Sequence, residues 1–174
     1  MSLVQTIRAD FKANPHDSKA KFVLLGFRLA HQCRVGPPLV RVASLPYIVL
    51  YRLMTEWVIG IELRPRTTIG PGLTIYHGVG LVVNDGAVIG SGVVLRQNVT
   101  IGQALPGGPS PIIMDLVTFG AGSMVLGGVT IGRGADIGAG AIVTTDVPDY
   151  GVVRAVKSQV FPPLKPSGSL GLND

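Results

Sequence analysis

The sequence predicts a mainly β protein: a parallel β-helix that follows a short α-helical N-terminal segment and carries one extruded loop. Three observations support this prediction. Aliphatic residues recur at every sixth position from Leu63 onwards, apolar residues before Gly60 recur at three- to four-residue spacing, and residues 102–112 interrupt the six-residue pattern without changing its phase. A strict period of six is typical of a solenoid in which short strands alternate with tight turns.

The helical segment comprises residues 1–60, whose apolar positions have the spacing of helix faces. One set is Leu3, Val4, Ile7 and Phe11, and another is Phe22, Leu25 and Leu29, with Val23 and Phe27 fitting less strictly. Gly36 and Pro37 end the second helix, and Pro46 begins a further helix that Gly60 closes.

The most apolar run, residues 45–61, contains Arg52 and Glu56. It falls short of the roughly 18 charge-poor residues that a membrane-spanning helix needs, so it predicts a buried or interfacial helix. Arg28 and Glu56 each lie among apolar neighbours. We therefore expect an ion pair between them, because pairing lowers the cost of burying either charge.

Residues 61–150 are predicted to form the β-helix, and residues 151–174 a C-terminal turn and tail. Large inward-facing side chains are expected in three series that share the period of six. These are Leu63, Ile69, Ile75 and Leu81; then, after a two-residue shift, Val83, Ile89, Leu95 and Ile101; and, after the loop, Ile113, Phe119, Val125, Ile131, Ile137 and Val143. A second inward position follows four places after all of these except Leu81 and Ile101: Thr67, Leu73, Val79, Ala87, Val93, Val99, Val117, Ser123, Val129, Ala135, Ala141 and Val147.

Composition narrows the function classes. Hydrophobic residues make up 47% of the chain and charged residues 14%, so apolar surface must be covered by a core, a subunit interface or a membrane. Residues 1–66 contain ten basic and four acidic side chains, which is either a solvated face or a surface for an anionic partner. Their helices lack interleaved aromatics, which argues against nucleic acid. The single Cys33 excludes an intrachain disulfide and a Cys-rich zinc site, and it fits a cytoplasmic protein without a signal peptide.

Beyond the period, several segments resemble the hexapeptide-repeat acyltransferases, in particular serine acetyltransferases and the colanic-acid and other exopolysaccharide O-acetyltransferases. They are Phe27-Arg28-Leu29-Ala30-His31, Tyr51-Arg52-Leu53-Met54-Thr55-Glu56, Gly60-Ile61-Glu62, Thr68-Ile69-Gly70 and Ile75-Tyr76-His77-Gly78. The resemblance runs from about residue 27 to residue 160 and includes the two-residue shift and the loop. It implies a left-handed parallel β-helix, a homotrimer with active sites between subunits, and acetyl-CoA as the donor.

The resemblance also implies site residues. The family's catalytic histidine falls on His77, the only histidine of the repeat region, and its carboxylate partner on Glu62, where serine acetyltransferases have Asp. An alcohol acceptor needs a base and the leaving thiolate an acid; histidine can serve as both because it titrates near neutral pH. The donor would lie against small residues of later coils and one lysine, namely Gly102, Ala121, Gly122, Ala139 and Lys157. The alternatives are a surface corner histidine, a plain surface carboxylate and glycines that serve only the corners.

Two departures from the serine acetyltransferases concern the acceptor. Tyr76 replaces their Asp before the histidine, and Pro109 and Ser110 replace an Arg-His pair in the loop. Because a site for zwitterionic serine needs charged partners, we expect Tyr76 and Ser110 to bind a sugar of an exopolysaccharide or its precursor instead. The segment before the repeats would then lie near the inner membrane surface. The alternatives are a serine O-acetyltransferase of cysteine biosynthesis and a non-catalytic trimeric scaffold. No metal is expected, since a zinc carbonic anhydrase of this shape needs three histidines.

Overall fold

The computed structural model describes residues 1–156. Within that range the chain begins with α1 (Leu3–Ala13), α2 (Ser18–Val35), α3 (Pro38–Ala43), α4 (Leu45–Arg52) and a π-helix (Leu53–Ile59). The strands that follow are β1 (Ile61–Leu63), β2 (Thr68–Ile69), β3 (Thr74–Tyr76), β4 (Leu81–Val83), β5 (Val88–Ile89), β6 (Val94–Arg96), β7 (Thr100–Gly102), β8 (Ile112–Ile113), β9 (Thr118–Phe119), β10 (Met124–Leu126), β11 (Thr130–Ile131), β12 (Asp136–Ile137), β13 (Ile142–Val143) and β14 (Val152–Val153).

The strands form three parallel sheets, which are the three sides of a solenoid of about five turns. Sheet A has the order β1-β4-β7-β10-β13, sheet B β2-β5-β8-β11 and sheet C β3-β6-β9-β12-β14. The chain visits A, B and C in turn, so each coil pairs only with the coils above and below it. The predicted parallel β-helix with a helical N-terminal segment is confirmed.

The core is built from the positions that the six-residue period indicated. Every large aliphatic or aromatic residue of the three series is buried. The smaller second position is buried as well, with the exception of Val79, which is 53% exposed. The expectation for Val79 was therefore wrong: Leu81 takes the inward position that Val99, Ser123 and Ala141 occupy in later coils.

Register shows where the coils differ in length. Val83 pairs with Ile101, 18 residues later, which is the regular coil. Leu63 pairs with Val83, 20 residues later, and Ile101 with Val125, 24 residues later. The first excess lies at the corner that contains His77. The second excess is the loop between the end of β7 at Gly102 and the start of β8 at Ile112.

The N-terminal helices cover the open edge of the first coil, and a buried ion pair holds them there. Arg28 Nε lies 2.8 Å from Asp10 Oδ2, and the guanidinium also donates to the carbonyl oxygens of Ile69 and Gly70 at 2.6 Å. Asp10 in turn accepts from the backbone N–H groups of Gly72 and Leu73. These bonds satisfy backbone groups that an unpaired strand edge would leave open.

The expected Arg28–Glu56 pair is therefore wrong, because the buried carboxylate that pairs with Arg28 is that of Asp10 in α1. Glu56 instead bonds Arg52, with Nε–Oε1 2.8 Å apart, and lies 3.6 Å from Arg64. The hydrogen bond from Arg52 lowers the pKa of the Glu56 carboxyl below its usual value. Asp10 could not be recognised as the partner from the sequence, because a lone aspartate on a helix normally faces water.

The buried face of α2 is also offset from the expected one. Its buried apolar residues are Ala20, Val23, Leu24, Phe27 and Ala30. Phe22, Leu25 and Leu29 are partly exposed and line an apolar groove against α4 and the π-helix. The run from residue 45 to 59 is mostly exposed rather than buried. No helix in residues 1–156 is long and apolar enough to cross a membrane.

Candidate active site

His77 stands at the corner between sheets C and A of the first coil, directly after β3. Its φ is +64°, a region that few non-glycine residues occupy. Hydrogen bonds show that Gly80 corresponds to Asn98, Gly122 and Gly140 at the same corner of later coils. His77 and Gly78 are therefore the two inserted residues. Gly78 faces the core, where a Cβ would lie 2.7 Å from Ile61 Cδ1, and His77 is exposed.

Two cations flank the corner. The Lys19 ammonium donates a hydrogen bond to the carbonyl oxygen of His77. Arg96 pairs with Tyr76 across sheet C, and its guanidinium carbon lies 5.5 Å from the centre of the Tyr76 ring. The Tyr76 side chain is about half exposed, so its ring and hydroxyl are accessible beside His77.

A cavity of about 230 Å³ opens next to Tyr76. It is lined by Ala13, Asn14, Pro15, His16, Asp17 and Tyr76. Asn14 fixes this turn to the solenoid: its side chain donates to Leu73 O at 2.8 Å and accepts from Ile75 N at 3.0 Å. The turn before α2 and the corner of the first coil therefore share one depression, large enough for part of a sugar ring.

Sequence reasoning missed Asn14, Lys19 and Arg96 as neighbours of His77. Asn14 lies in the turn before α2, Lys19 lies in α2 and Arg96 lies in the next coil, so no local motif connects them with the histidine. Only Arg96 carried a signal, since it stands one coil after Tyr76 at an outward position of the repeat.

Glu62 lies on β1 one residue after Ile61, against which Gly78 packs. Its carboxylate Oε1 is 2.7 Å from a terminal nitrogen of Arg64. Among residues 1–156 no hydrogen bond joins Glu62 to the His77 ring. The two residues are thus brought to the same region, but their side chains are not in contact.

The residues expected to bind the donor fall on two different edges. Ala121, Gly122 and Ala139 follow β9 and β12, so they occupy the same C/A edge as His77, two and three coils further along. Between them and His77 lies Gln97, whose Oε1 atom is buried without a hydrogen-bond partner in the described chain. An unpaired buried oxygen suits a ligand that brings a donor, such as the amide N–H groups of a pantetheine arm.

Gly102 and Ser110 lie at the A/B corner, at the other end of the sheet A strands from His77. Ser110 donates a hydrogen bond to Asn84 Oδ1 at 2.9 Å. Across the three residues of a sheet A strand, the two edges are separated by roughly 10 Å plus the corners. One chain therefore does not bring Ser110 to His77. Lys157 lies outside the described residues.

No group of three or more His, Cys, Asp or Glu side chains in residues 1–156 is placed to hold a metal ion.

Comparison with known proteins identifies the class to which this fold belongs. The family model "Bacterial transferase hexapeptide (six repeats)" matches residues 110–145. The protein named "Putative colanic acid biosynthesis acetyltransferase WcaB" of Escherichia coli K12 is 35% identical over 155 residues, covering 87% of this chain and 96% of that protein. The chain belongs to the hexapeptide-repeat acyltransferase family, and it is an acetyltransferase with that family's left-handed parallel β-helix.

The serine acetyltransferases are further relatives. That of Bacillus subtilis is 37% identical over 119 residues, which are 66% of this chain and 55% of the enzyme. The soybean serine acetyltransferase apoenzyme matches in structure with a TM-score of 0.75 at 30% identity, covering 87% of this chain and 65% of the soybean chain. The chain thus spans nearly all of WcaB but little more than half to two thirds of these serine acetyltransferases.

Proposed function

We propose that this protein transfers the acetyl group of acetyl-CoA to a sugar hydroxyl, with His77 as the general base. The observation that carries the proposal is the inserted corner, which holds an exposed histidine beside an open cavity and an accessible tyrosine ring. The histidine removes the proton of the acceptor hydroxyl while the oxygen attacks the thioester carbonyl. The C–S bond then breaks, and the same proton passes to the leaving thiolate.

Glu62 is proposed to orient or stabilise the charged imidazole from β1. Its ion pair with Arg64 competes with that role, so the proposal requires the carboxylate to turn towards His77 when the site is complete.

A homotrimer would complete the site. The outer face of sheet A carries an apolar row, in which Val82, Met124 and Ile142 are each more than a third exposed. Three copies that turn this face towards a common axis would bring the A/B corner of one against the C/A corner of the next. Gly102 and Ser110 of one copy would then lie beside His77 of its neighbour, and acetyl-CoA would bind in the groove between them.

Gly102 provides a test of that groove. A Cβ at Gly102 would meet nothing within 4 Å in its own chain, and its φ is not in the left-handed region, so the fold gives no reason for glycine there. We expect Gly102→Ala to keep the melting temperature and to raise the KM for acetyl-CoA roughly fivefold or more, because the methyl group would occupy ligand space. In contrast, Gly120→Ala should lower the melting temperature, since its Cβ would lie 2.3 Å from Ala139 N. An unchanged KM for Gly102→Ala would remove this glycine from the donor site.

The acceptor is proposed to be a sugar of an exopolysaccharide or its precursor, in line with the name of the relative WcaB. Asn14, His16 and Asp17 give the cavity polar groups that suit sugar hydroxyls, and Tyr76 offers a stacking face. A lipid-linked precursor would bring the enzyme to the inner membrane surface. The competing proposal is serine O-acetylation, which the similarity to serine acetyltransferases favours.

An assay of thiol release from acetyl-CoA distinguishes the two. With a panel of neutral and acidic sugars we expect turnover, and with L-serine none above hydrolysis. Tyr76→Ala should raise the KM for the sugar while leaving the KM for acetyl-CoA unchanged. Efficient turnover of L-serine would overturn the sugar proposal, and absence of both turnover and acetyl-CoA binding would favour a scaffold.

A further inference from the structure

We propose that the exposed face of α3, α4 and the π-helix, called here the cap surface, docks onto an anionic lipid bilayer. The surface and its charges do not depend on the proposed reaction. Only the number of cap surfaces per particle rests on the proposed trimer.

The cap surface exposes large apolar side chains in a continuous stretch of chain. Trp57 is 83% exposed, Leu39 81% and Val58 70%. Further members are Val42, Leu45 and Val49. Single exposed apolar residues are ordinary, but a cluster of this size on three consecutive short helices indicates a surface that something covers.

The charges around this apolar cluster are basic. No acidic residue occurs between Asp17 and Glu56, whereas Arg34, Arg41 and Arg52 lie within or beside the helices of the cap. The first acid, Glu56, is bonded to Arg52. Clustered arginines beside exposed tryptophan and aliphatic side chains are typical of helices that lie in a lipid interface.

A pocket of about 260 Å³ opens at the edge of the cap surface. Arg34, Arg52, Arg64 and Arg66 line it, together with Leu45, Ile48, Pro65 and Asp85. In residues 1–156 no carboxylate lies within ion-pair distance of Arg34 or Arg66, whereas Arg64 is paired with Glu62 at 2.7 Å and lies 3.6 Å from Glu56. Asp85, the one acid of the lining, lies 4.0 Å from Arg64. Planar guanidinium groups suit phosphate oxygens, so a lipid phosphate is the ligand that this pocket fits.

The charge also argues against a second copy as the occupant. A second copy would place the same basic surface against Arg34 and Arg41, and like charges at an interface are unfavourable. A bilayer of anionic lipid complements both features, since the acyl region accepts the apolar side chains and the phosphates accept the arginines. In a trimer whose axis follows the solenoid, three cap surfaces would point to the same side and bind with avidity.

Vesicle flotation tests the proposal with the full chain. We expect binding to vesicles of phosphatidylcholine with phosphatidylglycerol, weaker binding to phosphatidylcholine alone, and release as salt is raised. Val42→Asp should reduce binding at least about tenfold, because aspartate loses the apolar contact and is repelled by the lipid charge. The matched control is Val152→Asp, a similarly exposed valine on the last strand of the solenoid, which should bind like the wild type. Replacing Arg34 and Arg66 together by Gln should reduce binding roughly 25-fold, about fivefold for each charge.

Absence of binding to anionic vesicles would overturn the proposal. Equal loss in Val152→Asp, or equal binding to neutral vesicles at all salt concentrations, would do so as well. Light scattering provides the other decisive result: a larger oligomer that Val42→Asp dissociates, without vesicle binding, would identify a second copy as the occupant. Thiol release in the presence of a soluble acceptor should be unchanged by Val42→Asp, so failure of the membrane proposal and failure of the proposed reaction give different results.

Discussion

Replacing His77 by Asn should lower kcat for acetyl transfer about 10²- to 10⁴-fold, which is the usual contribution of a general base. Asparagine keeps the polar character and is among the few residues that accept a positive φ, so the corner at +64° should survive the change. What it removes is the imidazole nitrogen that is proposed to accept the proton. Thiol release with a saturating acceptor gives kcat, and thermal unfolding reports the state of the fold.

The control for this substitution is Tyr150→Asn. Tyr150 is another positive-φ corner residue, with φ +58°, and it is 70% exposed in the last coil. We expect kcat within about twofold of the wild type, since surface substitutions away from a site have little effect. Full activity of His77→Asn would exclude the histidine mechanism, whereas equal loss in both variants would indicate a defect of the corners rather than of the chemistry.

Replacing Arg28 by Met should reduce the free energy of unfolding by about 3–5 kcal/mol, because it leaves Asp10 charged and buried without its partner. Both side chains are at most 5% exposed, and Arg28 also loses its bonds to Ile69 O and Gly70 O. Methionine fills a similar volume, so the loss reports mainly the charge. Urea unfolding at one fixed protein concentration measures it, since the apparent stability of an oligomer varies with concentration.

Arg133→Met is the matched control, because it removes an arginine from an ion pair at the surface. Arg133 lies 3.8 Å from Asp115, and both side chains are about half exposed. Such pairs contribute roughly 0–1 kcal/mol, so this variant should unfold almost as the wild type does. A loss below about 1 kcal/mol for Arg28→Met would mean that the first coil does not need its helical cover.

The two-residue shift near Leu81 illustrates which structural features a sequence pattern can predict and which it cannot. The period located the insertion, but it assigned Val79 to the core. The structure exposes Val79 and uses the insertion to turn His77 outwards, because strand register forces the extra residues into the corner rather than into the sheet. The break in the repeat therefore coincides with the corner of His77, a residue that the family resemblance indicates and the break alone does not.

The helical segment was predicted less well for a physical reason. Helical spacing shows that a face is apolar, but Phe22 and Leu25 have the same spacing as the buried Val23 and Phe27. Which face is buried depends on where the helix meets the first coil, and Asp10, Asn14 and Arg28 determine that position by bonding to its open edge.

A resemblance to a known family indicated His77, and the sequence by itself determined the solenoid, the two insertions and the inward positions apart from Val79. Each coil repeats one local pattern of strand and turn, so the period carries almost all of that information. Only the tertiary structure decided that Asp10 pairs with Arg28, that Lys19 and Arg96 flank His77, and that Gly102 and Ser110 lie on the far edge of sheet A. These are contacts between distant parts of the chain, and they depend on how the helices dock and where each corner points, which no local spacing records.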